Sequence, residues 1–139
     1  MTDDEVRSFL LAEPARPAVL ATRRPDGRPH AAPIWYDLDG DDIVFNTGAD
    51  TVKGRNLHHD PRVSLVVQDD RVPFSFVMVE GTASTSDEPD EVRRWAARLG
   101  GRYMGAARAA EYGERNGVPG ELLVRVSVGR RTAMRDVAD

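Results

Sequence analysis

The chain of 139 residues has no cysteine, and its nineteen basic residues include a single lysine. Without cysteine there are no disulfides, no thiolate nucleophile and no cysteine-ligated zinc or iron–sulfur cluster. Histidine is scarce too: His30 stands alone, and His58 and His59 are neighbours. Adjacent residues on a helix point about 100° apart, a poor arrangement for two ligands of one metal, so no metal is expected. No apolar run approaches the ~20 residues a membrane span requires. The acidic start, Met1-Thr2-Asp3-Asp4-Glu5-Val6, lacks the basic-then-apolar order of a signal peptide, so a cytoplasmic protein without a membrane partner is expected. The net charge of −4 comes with scattered arginines and no broad basic face, which argues against nucleic acid. Gly-x-Ser-x-Gly, Walker A and dinucleotide-type glycine patterns are absent, and no catalytic residue can be named.

What is there reads as one domain spanning residues 1–139, mainly β with helices. Thr2 or Asp3 can cap a helix carrying Val6, Phe9 and Leu10, ended before Pro14 and Pro17. Ala18 to Thr22 reads as a buried strand, Arg24-Pro25-Asp26-Gly27-Arg28 as a hairpin turn, and Pro29 to Leu38 as a second strand. After Asp39-Gly40-Asp41 comes a third strand over 43–47, which predicts a three-stranded antiparallel meander. Val52 to His59 is predicted as a short helix capped by Asp50 or Thr51 and stopped by Pro61. Strands are predicted at 63–68 and 74–84, with Gly81 marking a bulge. Val92, Trp95, Ala96 and Leu99 form a helical stripe predicted to end near Gly100-Gly101, with a weaker helix over 103–117. Strand 122–128 and an edge at 132–137 complete a six- to seven-stranded antiparallel β-barrel with helical additions.

Lys53 is the conspicuous residue. In a surface built from arginine, the one compact ammonium group falls in the first turn of a capped helix. There unpaired N–H groups and the positive end of the macrodipole already favour an anion. A phosphate-bearing ligand is therefore expected at Lys53, against the alternative of a solvated surface charge.

The segments Leu20-Ala21-Thr22, Asp26-Gly27-Arg28-Pro29-His30, Ile34-Trp35-Tyr36, Lys53-Gly54-Arg55-Asn56-Leu57 and Asp60-Pro61-Arg62-Val63-Ser64-Leu65 resemble the split β-barrel flavin and deazaflavin oxidoreductases. These are the pyridoxamine 5'-phosphate oxidase-like proteins, and the branch using coenzyme F420 is the most similar. The resemblance implies an FMN-binding-type split barrel and a homodimer with the cofactor at its interface. It implies that Lys53 and Arg55 or Asn56 meet the phosphate, with Thr47 and the turn residues Ala49 and Asp50 supplying hydroxyl or backbone donors. His30, Ala32, Pro33 and Ile34 would line the ring, with Arg28 near the edge of that groove. Pro29 to Trp35 departs from the basic strand motif of the family's flavin-using pyridoxamine oxidases. Arg130 to Asp139 lacks their substrate-gripping pattern, so pyridoxamine phosphate is not the expected substrate.

The function so implied is hydride transfer between reduced F420 and a small hydrophobic or conjugated molecule. Such chemistry needs alignment and exclusion of water more than a general acid. FMN is the alternative cofactor; a flavin- or haem-binding protein without turnover and a purely structural homodimer are the alternative classes. Arg71 to Phe76 and Tyr103 to Glu121 are candidate substrate-pocket segments, and Tyr36, His30 or water could supply a proton.

Overall fold

A computed structural model describes all residues 1–139. The first helix, α1 (Asp3–Leu10), begins at Thr2, whose hydroxyl accepts from the Glu5 N–H at 3.1 Å. Strands β1 (Ala18–Arg23) and β2 (Pro29–Ile34) form the expected hairpin, with Gly27 at φ 90° in its turn. The short β3 (Asp37–Asp39) turns through Gly40 into β4 (Asp42–Gly48). Helix α2 (Val52–His59) precedes β5 (Arg62–Asp69) and β6 (Ser75–Ser86). Helices α3 (Pro89–Met104) and α4 (Ala109–Asn116), joined through a single 3₁₀ turn, lead to the last strand, β7 (Glu121–Met134).

All seven strands pair antiparallel in the order β2-β1-β5-β6-β7-β4-β3. The meander expected from the sequence is therefore replaced by a different path. The predicted second strand breaks at Trp35-Tyr36, and its halves lie on the two opposite edges of the sheet. Only Trp35 and Tyr36 link those edges, and three residue steps span at most about 11 Å, so the sheet must curl until its edges nearly meet. The result is a barrel split along one seam. Its interior holds a cluster of 17 buried apolar residues, including Leu20, Ile34, Tyr36, Phe45, Leu65, Val79 and Val126.

At the seam the backbone has no strand partner, and helix α3 supplies substitutes. The Tyr36 N–H donates to the Tyr103 hydroxyl at 3.2 Å, and the Tyr36 carbonyl accepts from the Arg102 guanidinium. Arg102 also donates to the Leu10 carbonyl at 2.8 Å, and Arg98 donates to the Asp37 carboxylate at 2.9 Å. The unpaired edge is thereby satisfied by side chains rather than by another strand.

Two further expectations are corrected and a third is met. Helix α3 does not stop at Gly100-Gly101 but runs to Met104, because these glycines face α4: a Cβ on Gly100 would lie 2.2 Å from Tyr112 Cβ. The predicted edge at 132–137 is instead the far end of β7, paired with β6 as far as Met134. The shift of register between Glu80 and Gly81 is the expected bulge, with β7 backbone so close that a Cβ on Gly81 would lie 2.4 Å from the Ser127 carbonyl.

Candidate functional site

Residues 42–59 build the corner that carries Lys53 from local rules. Strand β4 ends at Gly48, and Thr51 caps α2. The Thr51 hydroxyl donates to the Gly48 carbonyl at 2.8 Å and accepts from the Gly54 N–H at 3.1 Å. Its only proton being used, the 3.0 Å contact with Thr47 must have Thr47 as donor. Gly54 lets the helix sit down on this corner, since a Cβ there would meet the Gly48 carbonyl at 2.2 Å. Lys53 then rises from the first turn of α2, half-buried, with no carboxylate within 4.0 Å.

A groove of about 480 Å³ opens beside it, lined by Pro17, Pro33, Ile34, Trp35, Asn46 and Lys53, and on the helical side by Ala96, Leu99 and Asn116. This volume lies within the range of small-molecule sites. Ile34, Trp35, Ala96 and Leu99 give it apolar wall and Lys53 an ammonium group, so it suits a flat ring carrying an anionic tail. Trp35 is held rigid there: its ring stacks on Tyr103 with centroids 5.1 Å apart and 4° between planes, and meets Tyr112 edge-on at 5.6 Å. Burial raises the Tyr103 hydroxyl above its ordinary range, and that hydroxyl donates to the Arg16 carbonyl at 2.8 Å.

Of the residues singled out from the sequence, Lys53, Pro33 and Ile34 meet in this groove. Ala49 and Asp50 form the turn before α2, but the Ala49 N–H is already donated to the Gly120 carbonyl at 2.8 Å. Thr47 is buried with its proton given to Thr51, so in this arrangement it offers a ligand only an acceptor. Asn56 is buried and donates to the Thr22 hydroxyl at 3.0 Å, a structural bond between α2 and β1. Arg55 stands two residues beyond Lys53, about 200° round the helix, and is exposed. His30 and Ala32 lie farther along β2 and do not line the groove. Opposite Thr22 in the β1–β2 register, His30 keeps a buried Nδ1 without a hydrogen-bond partner.

Arg28 is exposed and paired with Asp26 in the hairpin turn, away from the groove. Of the two candidate substrate segments, 103–121 contributes Asn116, whereas 71–76 contributes nothing to this groove. Pro17, Asn46, Ala96 and Leu99 went unnoticed as groove residues. Ala96 and Leu99 belong to the same helical stripe as core residues, and period alone does not separate a groove wall from a core. A strand asparagine among Val44, Phe45 and Thr47 was the available signal for Asn46, whose buried Oδ1 has no partner.

Seven antiparallel strands curled about a seam, with Lys53 in a groove lined by Pro33, Ile34 and Trp35, define a split β-barrel. The family model for pyridoxamine 5'-phosphate oxidase matches residues 2–134, and the chain belongs to that family. A pyridoxine/pyridoxamine 5'-phosphate oxidase of Rubrobacter xylanophilus is 36% identical over 89 residues, covering 63% of this chain and 41% of the relative. One of Gloeothece citriformis is 34% identical over 98 residues, covering 66% and 45%. The chain thus matches less than half the length of these curated relatives. Among solved structures, the conserved protein Rv2991 of Mycobacterium tuberculosis superimposes with TM-score 0.85 at 28% identity, over 98% of this chain and 86% of that one. An F420 reductase superimposes with TM-score 0.71 at 25% identity, over 90% and 94%. No helix is long and apolar enough to cross a membrane.

Proposed function

We propose that this chain is an oxidoreductase that uses coenzyme F420 to move a hydride to or from a small hydrophobic or conjugated molecule. In this reading residues 1–139 work as one split-barrel domain. The observation that carries it is Lys53, the one lysine of the chain, half-buried with no carboxylate within 4.0 Å and lining a groove together with Ile34, Trp35 and Leu99. The residues present fit a phosphorylated tricyclic cofactor. Lys53 and the first-turn N–H groups of α2 would take its phosphate, while Pro33, Ile34, Trp35 and Leu99 would hold its ring. When bound, that ring supplies the hydride chemistry. This chain's own residues bind, orient and exclude water, and no acid–base pair is required of them. The likeness to an F420 reductase supports F420, and the family itself supports FMN as the second reading.

A homodimer belongs to the same proposal. Pro33 lines the groove and also sits on the outer face of the sheet, in register with the exposed Val19. A second copy laid on that face would wall the groove on its open side.

Side-by-side titration with F420 and FMN tests the reading. F420 is expected to bind more tightly, and Lys53→Ala to weaken binding by about 1.5–3 kcal/mol, the worth of a hydrogen bond to a charged group, without lowering the melting temperature. Lys53→Arg, which keeps the charge and changes its shape, is expected to recover part of the loss. Unchanged affinity in Lys53→Ala would sink the site. A protein that takes up neither cofactor, or shows only a haem Soret band, would sink the function.

A further inference from the structure

Strand register puts one more charged residue beside Lys53. In the β4–β7 pair, Asn46 lies opposite Leu123 and Gly48 opposite Glu121, so Asn46, Gly48 and Glu121 share one face of the sheet. This is the face that the groove uses, since Asn46 lines it. Gly48 has no side chain to fill its place, and a Cβ there would lie 3.7 Å from Glu121 Oε1 and 3.3 Å from Thr51 Cγ2. The Glu121 carboxyl therefore leans over Gly48 toward the cap of α2, whose first turn carries Lys53. The start of β7 is fixed in place by the bond from the Ala49 N–H to the Gly120 carbonyl. Glu121 is half-buried and forms no ion pair within 4.0 Å. Burial raises its pKa, and the Lys53 charge pulls it back in part.

We infer that Glu121 selects the charge of the anion accepted at Lys53, favouring a singly charged phosphodiester over a doubly charged phosphomonoester. Lys53 and Glu121 cancel before any ligand arrives, and Asp50 and Arg55, both exposed, cancel as well. What remains is roughly half a positive charge from the helix terminus. A phosphodiester brings one negative charge to this corner and a phosphomonoester brings two, so repulsion from the Glu121 carboxylate is about twice as large for the second. The inference rests on the proposed anion site at Lys53. It sharpens the choice of cofactor, because F420 carries its phosphate as a diester and FMN as a monoester.

Tryptophan fluorescence quenching, with Trp35 in the groove as reporter, provides the test. Wild-type protein, Glu121→Gln and Glu121→Ala would each be titrated with F420, FMN and the methyl ester of FMN phosphate, which has the FMN ring and the diester charge. Both variants are expected to bind FMN about tenfold more tightly than wild type, and F420 and the methyl ester only about threefold more tightly. FMN affinity unchanged in both variants, or a gain shared equally by FMN and its methyl ester, overturns the inference. If F420 binds and Lys53→Ala weakens binding while the Glu121 variants behave as wild type, the anion site stands and only the selection by Glu121 falls. If no ligand binds wild type or variants, both fall together.

Discussion

Tyr36 is fully buried at the seam, its hydroxyl donating to the Leu10 carbonyl at 2.6 Å and its ring lying 4.8 Å below the Arg102 guanidinium. Burial outweighs that neighbouring positive charge and pushes the phenol up to about 12 from 10.0. The neutral form is thus the one the fold holds. Stability from this residue is complete below the unfolded value near 10 and is lost as pH rises through the folded value near 12. Chemical denaturation followed between pH 9 and 12 should show a midpoint that falls more steeply in wild type than in Tyr36→Phe. Tyr36→Phe should itself cost about 0.5–1.5 kcal/mol at neutral pH, because the Leu10 carbonyl keeps its bond from Arg102 and is not orphaned. Equal alkaline slopes in the two proteins would contradict this account. Asp60 shows the opposite case: hydrogen bonds from Arg62, with help from Arg23, hold its carboxyl well below the usual carboxylate range. Its contribution is present above the unfolded carboxylate value and is lost only as pH falls below that value.

Helices α3 and α4 meet through small residues. Gly100 faces Tyr112, and Gly113 faces Ala97, where a Cβ would lie 3.0 Å away. Gly100→Ala gains up to ~1 kcal/mol in helix propensity but drives a methyl into Tyr112, and overpacking of this kind costs about 1–3 kcal/mol. Because Tyr112 braces Trp35, the variant should lower the melting temperature and also shift Trp35 fluorescence. Gly101→Ala is the control, its nearest neighbour being the Ala109 methyl at 3.2 Å, and a larger loss there than at Gly100 would refute the packing argument.

The same glycines explain what the sequence could and could not tell. Caps, turns and period-2 strands are local, so α1, α2, the 24–28 turn and the Gly81 bulge were legible from the residues alone. Gly100-Gly101 look locally like a helix end, and only the contact with α4, a fact of tertiary packing, keeps the helix going. The break at Trp35-Tyr36 was hidden for a similar reason: nothing in that dipeptide is unfavourable to a strand, and the break exists because the two edges of a seven-stranded sheet must meet there. Lys53, Pro33 and Ile34 were legible as groove residues from motif and position. Glu121 was not, because its closeness to Lys53 depends on strand register across more than sixty residues.

The outer surface of the barrel departs from the usual alternation of buried apolar and exposed polar positions. Pro33, Val19, Val66 and Met78 are aligned across β2, β1, β5 and β6 by the register of the three ladders, an apolar row crossing four strands on the face away from the core. Val19 is 45% exposed. A sheet with one face in water normally puts polar side chains there, and such a row marks a contact surface. The neighbouring row, Ala31, Ala21, Ser64 and Glu80, is small and ends in charge, so the middle of the face lies open to a close approach. None of these side chains belongs to the 17-residue interior cluster. Changing them should therefore leave the barrel folded. Val19→Glu places a carboxylate at the centre of the row, beside Pro33 and Val66, where a second copy would have to bury it unpaired. In sedimentation equilibrium the wild type is expected at twice the chain mass and Val19→Glu at 15.3 kDa, with far-ultraviolet circular dichroism unchanged. Since Pro33 is shared by this face and the groove, cofactor affinity should fall with the loss of the dimer and return at protein concentrations that restore it. A Val19→Glu monomer that binds cofactor as tightly as the wild type would show that the groove is complete within one chain, and a wild type that sediments as a monomer would remove the dimer altogether.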